Sequence, residues 1–309
     1  MKENNNLSRV ARNSKKEKTT IEPKTKETDI EFKKKSPVKR IVATLFIIGL
    51  LILLYARFIG TMGLIVKEYG INSSNLPKSF DGLKVVHISD IHYGTIVNQK
   101  RLENIVNEIN KIKPDIVVFT GDLYDESINM TETLQNEVIN TLNKLEVTIG
   151  KYAVSGNHDY SDTVFEDLIT KSGFTYLSNE SKIIYNNGST PIEIVGYPDS
   201  REDNPDYTIS LTNYYKIALI HEPDELDNIK DKGFDLVLSG HSHGGQVRLP
   251  IIGKIITPPG SKKYYDEYYN INDTKMYVSY GLGTSLLRLR LFDHPSFNLY
   301  RIYSEKKNC

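Results

Sequence analysis

The stretch Asp235-Leu236-Val237-Leu238-Ser239-Gly240-His241-Ser242-His243-Gly244-Gly245 decides how this chain reads. A short apolar run bounded by turn residues marks a strand buried on both faces. Here the run stops at a glycine and gives way to two histidines one residue apart, with glycines on both sides. An ordinary loop has that composition too, but imidazoles set in so permissive a backbone are a common way to hold a metal ion.

Outward from there the arrangement repeats. Asp90-Ile91-His92 follows the strand-like run 83–89, Gly121-Asp122 follows 115–120, Gly156-Asn157-His158-Asp159 follows 152–154, and His221 follows 216–220. Singly, each has a plain explanation. Asp-x-His and Gly-Asp occur in turns, Gly-Asn-His-Asp is good turn chemistry, and a lone histidine after a strand is most often a packed one. Separate segments that all place metal-ligand residue types at strand ends seldom do so by accident.

Amphipathic helices are expected between the strands. Residues 98–113 carry Leu102, Ile105, Val106, Ile109 and Ile112 on one face, and 131–145 carry Leu134, Val138, Leu142 and Leu145. A third helix, capped by Ser161, carries Val164, Phe165, Leu168 and Ile169. Short strands are expected near 175–177, 182–186 and 192–196, a short helix at 223–230, and mostly β structure with long turns over 246–303. Alternating strands and helices make an α/β fold, in which ligands collect outside the carboxyl ends of the strands. Asp90, His92, Asp122, Asn157, His221, His241 and His243 are therefore expected to face one pocket. His87, inside the first strand, and His294, before Pro295, fall outside the pattern.

Charge and cysteine content exclude other classes. Net charge is +0, but residues 1–40 hold 13 Lys+Arg against 6 Asp+Glu, so the rest of the chain is acidic. No basic face for nucleic acid is expected there. The one cysteine, Cys309, permits neither an internal disulfide nor a cysteine zinc site.

Residues 1–40 are too polar to offset their chain entropy and are expected to be a disordered, basic cytoplasmic tail. Ile41 to Ala56 is uncharged, and 41–62 is expected to be a single membrane anchor with Arg57 snorkelling to the headgroups. Lys33, Lys34, Lys35, Lys39 and Arg40 before it put the tail inside and everything after about residue 67 outside the cell membrane. A cleaved signal peptide fits less well, given the long polar start and the lack of an Ala-x-Ala site. Residues 63–82 read as a linker, 83–303 as one catalytic domain and 304–309 as a C-terminal tail.

The mixture of carboxylates, an amide and imidazoles suits a pair of divalent ions such as Mn, Zn or Fe. Such a pair acidifies a shared water and draws charge from phosphoryl oxygens, so that water attacks phosphorus directly with no phospho-enzyme. His158 need not be a ligand. Held at one ring nitrogen by Asp159, it would steady phosphate oxygens or protonate the departing alkoxide.

These blocks together resemble those of the calcineurin-like metallophosphoesterases, over about residues 83–303. The resemblance implies a four-layer α/β/β/α sandwich of two mixed sheets. It also implies one metal on Asp90, His92, Asp122 and His243, and a second on bridging Asp122, Asn157, His221 and His241, with His158 as the catalytic histidine. Gly244-Gly245-Gln246-Val247-Arg248-Leu249-Pro250, the Pro258-Pro259-Gly260 turn and the apolar N-terminal segment resemble the membrane-anchored bacterial phosphodiesterases of the YaeI and YkuE type. Many of those carry a basic residue where this chain has Tyr280, before Gly281-Leu282-Gly283. The Tyr264-Tyr265-Asp266-Glu267-Tyr268-Tyr269 loop reads as a turn with exposed tyrosines, a lid being the alternative. The expected function is a phosphodiesterase or phosphomonoesterase on a small-molecule, lipid-linked or cell-envelope phosphoester. A protein phosphatase and a non-catalytic metal-binding envelope module are the alternatives.

Overall fold

The computed structural model describes residues 36–160 and 163–305. The chain forms two compact units, residues 1–46 and 47–309. The described part of the first is the start of helix α1 (Pro37–Leu54), none of whose residues is buried. A π-helical turn, Tyr55–Ile59, continues α1. Together they make a helix of 23 residues whose most apolar 18-residue stretch has mean hydropathy 2.4, long and apolar enough to cross a membrane. The helix takes in residues 37–40, which were expected to belong to the tail. Pro37 suits the first helical position, where its missing N–H costs nothing. Residues 1–35 of the expected disordered tail, Ser161 and Cys309 lie outside the described residues, and the helix that Ser161 was expected to cap starts at Phe165 with Val164 in the capping position.

The second unit continues with β1 (Ile65–Ser73), β2 (Leu83–Ile88), α2 (Gln99–Ile112), β3 (Ile116–Thr120), α3 (Glu132–Leu142) and β4 (Gly150–Val154). Next come α4 (Phe165–Lys171), β5 (Thr175–Tyr176), β6 (Glu180–Ile184), β7 (Ile192–Gly196), β8 (Tyr215–Leu219) and α5 (Leu226–Ile229). It ends with β9 (Leu236–Ser239), β10 (Arg248–Leu249), β11 (Gly253–Lys254), β12 (Tyr268–Ile271), β13 (Thr274–Val278) and β14 (Ser296–Ser304). Among the described residues these form two mixed six-stranded sheets, ordered β1-β14-β2-β3-β4-β5 and β12-β13-β9-β8-β7-β6, and a small β10–β11 hairpin.

The layering follows from the alternation of side chains along each strand. In β3, Ile116 and Val118 enter the core between the sheets, while Val117 and Phe119 meet the outer core with α2, α3 and α4. In β8, Tyr215, Ile217 and Leu219 enter the same middle core, while Ala218 faces the opposite outer core with α5. Three apolar layers thus separate helices, sheet, sheet and helix, the α/β/β/α sandwich. Strands apolar on both faces are what that architecture requires.

Residues 63–82 are not a plain linker. Ile65–Ser73 pairs in parallel with β14 along its whole length. Lys67, Glu68 and Asn72 give it the charged, mostly exposed character of an edge strand, and nothing local announces its distant partner. Residues 246–303 contain less β structure than expected, and long irregular stretches separate the short strands. Tyr264 is buried rather than exposed. His87 is packed as expected, with Nε2 2.8 Å from Thr120 Oγ1.

Candidate metal centre

β2, β3 and β4 are mutually parallel, as are β7, β8, β9 and β13, so the carboxyl ends in each sheet share a rim. The two rims are stitched together there. The His241 N–H donates to both carboxylate oxygens of Asp90 at 3.1 Å, and His221 Nδ1 donates to the Thr120 carbonyl at 2.6 Å. Gly240 makes this approach possible, since a Cβ there would lie 1.9 Å from Ser89 Oγ and 2.5 Å from Asp90 Oδ2.

Two groups of donor atoms result. Asp90, His92, Asp122 and His243 form one, and Asp122, His221 and His241 the other, all buried. Asp122 Oδ2 stands 3.4 Å from His92 Nε2 and 3.4 Å from His221 Nε2, facing both groups at once. His92 and His243 approach Nε2 to Nε2 at 3.1 Å, and His241 Nδ1 lies 3.1 Å from His221 Nε2. Asn157 sits on the wall of the same cleft with its Oδ1 buried and unpartnered. All seven residues expected in one pocket are brought together.

The backbone is bent to do this. Asp90, His92, Asp122, His241 and His243 all have positive φ, from 43° to 63°. Such conformations cost about 1–3 kcal/mol each in non-glycine residues and persist only where the surroundings enforce them. Sequence reasoning assigned the permissive backbone to the glycines, yet the polar residues themselves carry much of the strain.

Protonation states suit metal binding. Burial pushes His92 down to about 4 and His241 down to about 3, and it holds His243 well below its ordinary value, so these rings are neutral, the form in which imidazole can bind a metal. Burial alone would raise Asp122, but His221 and His92 beside it hold its carboxyl well below the usual range. Burial alone would lower His221, but Asp122, Asp90 and Glu222 raise it well above normal. The carboxylates thus demand positive charge at this point, and a divalent cation among the same donors meets that demand as a proton does. The donor set fits a divalent-metal site.

Outer contacts fix the rings. With Nδ1 committed to Thr120, His221 presents Nε2. With Nε2 2.6 Å from the Pro259 carbonyl, His241 presents Nδ1. The Pro258-Pro259-Gly260 turn thus orients a site residue, a role invisible in the sequence because it uses a backbone oxygen.

His158 lines the cleft, with its ring centre 4.7 Å from that of His92. Asp159 does not hold it. The Asp159 carboxylate instead accepts N–H donors from Asp122, Leu123 and Gly156, each at 2.8 Å. His158 Nδ1 faces Glu126, 3.9 Å from Oε2. In the 3-10 turn Asn157–Tyr160, the residue after His158 points back into the protein, where unpaired amides await an acceptor. Asp159→Asn is expected to lower stability by about 1–3 kcal/mol, because an amide cannot accept at both positions. Urea denaturation would check this, and an unchanged midpoint would remove Asp159 from the frame.

The remaining expectations resolve by position. Tyr280 lies outside the cleft wall, its hydroxyl 3.2 Å from Arg248 Nη1 and its ring under Lys67. The cations of the cleft are Arg201, Lys262 and Arg288, around an opening of about 700 Å³. Arg290 was missed by sequence reasoning altogether. It is fully buried and donates to the carbonyls of Tyr280, Gly281 and Gly283 and to Asp293.

Comparison with known proteins gives a consistent result. The family model described as calcineurin-like phosphoesterase matches residues 83–245. The uncharacterized metallophosphoesterase YkuE of Bacillus subtilis (strain 168) is 37% identical over 259 residues, covering 81% of this chain and 89% of its own length. Phosphodiesterase YaeI of Escherichia coli (strain K12) is 28% identical over 71% of this chain and 82% of its own. A transmembrane protein with metallophosphoesterase domain from Danio rerio is 28% identical over 73% of this chain and 54% of its own.

Proposed function

The chain belongs to the calcineurin-like phosphoesterase family, a metal-dependent hydrolase of phosphoester bonds, and on that premise we propose a binuclear phosphodiesterase held at a membrane. The observation that carries this reading is the placement of Asp122 Oδ2 at 3.4 Å from an imidazole nitrogen of each donor group. Asp90, His92, Asp122 and His243 would hold one ion. Asp122, Asn157, His221 and His241 would hold the other, with Mn, Zn or Fe as the ions suited to these donors. Bound there, the ions supply acidified water and a sink for phosphoryl charge.

The chain's own residues do the rest. Arg201, Lys262 and Arg288 draw an anionic ester into the cleft. His158, on the cleft wall, donates to the phosphoryl group or to the departing oxygen. The apolar helix Pro37–Ile59 spans the membrane once, with Lys39 and Arg40 at the cytoplasmic side and the catalytic unit outside.

The test uses the full-length chain in detergent with bis-p-nitrophenyl phosphate. Hydrolysis is expected with added Mn, to vanish with a chelator and to return with Mn. No hydrolysis with Mn, Zn or Fe would overturn the reading. His158→Gln is expected to lower turnover by about 100-fold for a diester with an alkoxide leaving group, and by less for nitrophenolate, which departs without a proton. Equal losses on both would remove the proton-donor role.

A further inference from the structure

Beside the metal centre the surface becomes abruptly apolar. A groove of about 260 Å³ runs from His243 between two loops and is walled by Val247, Ile255, Ile256, Leu286, Leu287 and Leu289. The loop crests are more exposed still. Ile251 is wholly exposed, Ile252 and Ile256 are 72% exposed, and Leu286 is 93% exposed. Single exposed apolar residues need no explanation, but two adjoining loops of them do.

The hairpin tip sharpens the point. β10 and β11 are joined through Pro250-Ile251-Ile252, and Ile251 adopts φ 73°. Glycine or asparagine takes that conformation readily, while a β-branched residue is strained in it. A position that favours a small polar residue carries isoleucine instead, fully in the open.

The second of these loops is tied to the end of the apolar helix. The Arg290 N–H donates to the Ala56 carbonyl at 2.9 Å, and the Ile65 N–H donates to the Pro295 carbonyl at 2.9 Å. Gly60 packs so closely that a Cβ there would lie 1.8 Å from the Arg290 carbonyl oxygen. Phe58, Ile59 and Met62 at this junction are themselves exposed. The segment carrying Leu286 and Leu287 is thus fastened to the point where the apolar helix ends, which is where a bilayer surface would lie.

We propose that the 250–256 and 285–292 loops dip into the outer leaflet and that the groove beside His243 takes the hydrocarbon chain of a lipid phosphoester, whose headgroup phosphate enters the metal cleft. This rests on the phosphoesterase reading and names its substrate class. The chain lies in the apolar groove, the phosphate meets the cleft containing Arg288 and Lys262, and the ester need not leave the membrane.

Two measurements on the full-length chain test it. The sequence has no tryptophan, so Leu286→Trp and Ile252→Trp each introduce a single reporter. In vesicles with brominated acyl chains both are expected to be quenched, whereas Tyr185→Trp, at an exposed position outside these loops, is not. No quenching at either loop overturns the proposal. So does a blue shift that depends on protein concentration rather than on lipid, because a second copy would then cover the face.

The second measurement compares hexadecyl and methyl p-nitrophenyl phosphate, both presented in detergent. The wild type is expected to favour the long chain by more than about tenfold in kcat/KM, and Leu289→Ser to cut that ratio to below about threefold. A ratio near one in the wild type sinks the lipid assignment while leaving the phosphoesterase standing. Absence of hydrolysis of both esters and of bis-p-nitrophenyl phosphate under every metal sinks the enzyme reading instead.

Discussion

Asp122→Asn is expected to reduce turnover by more than about 100-fold at saturating Mn, beyond the 10–100-fold typical of changes in the outer contacts of a metal site. The side chain keeps its size but loses the charge between the two donor groups. Its Oδ2 lies 3.4 Å from nitrogens of His92 and His221, and an amide nitrogen there would present hydrogens to both. Oδ1 accepts the His158 N–H at 2.9 Å, and an asparagine oxygen preserves that bond. The fold should therefore survive with a midpoint near that of the wild type, so lost activity would report on the site. Metal content measured on the same preparation is expected to fall. Turnover within about tenfold of wild type would show that Asp122 does not bridge.

Arg290→Met is expected to destabilise the chain by about 3–5 kcal/mol, the cost of breaking a buried ion pair from one side. The guanidinium lies 2.8 Å from Asp293 and donates to three backbone carbonyls of the 280–283 turn. That turn in turn braces the metal site, because the Gly283 N–H donates to the Asp90 carbonyl at 2.7 Å. Activity is therefore expected to fall with stability. Arg290→Met combined with Asp293→Leu is expected to recover part of the loss, since no buried charge is then left alone. Urea denaturation of both variants decides it. A single variant as stable as wild type would mean the turn holds without its arginine.

The donor residues were legible because metal chemistry restricts residue type and because a buried strand followed by a turn has a local pattern. Asp90, His92, Asp122, Asn157, His221, His241 and His243 are each ambiguous alone and become legible as a set, because the same residue types recur after one strand-like run after another. Asp159 was misread because adjacency in sequence suggested a bond to His158. A 3-10 turn instead sends neighbouring side chains in different directions, and the carboxylate found the buried amides of Asp122, Leu123 and Gly156. Arg290 looked like one charge among several in a loop.

The amino-acid sequence by itself determined the alternation of strands and helices, the apolar N-terminal helix and the set of donor side chains, all properties of short windows with their own periodicity or chemistry. Tertiary structure alone decided that Ile65–Ser73 is an edge strand, that the Thr120 and Pro259 carbonyls orient the His221 and His241 rings, that Arg290 is buried, and that two isoleucine- and leucine-rich loops adjoin the metal cleft. Strand pairing and the carbonyls that hold His221, His241 and Arg290 use backbone atoms, which are the same in every residue and leave no mark on the order of the side chains, and the two apolar loops meet only through the folded chain.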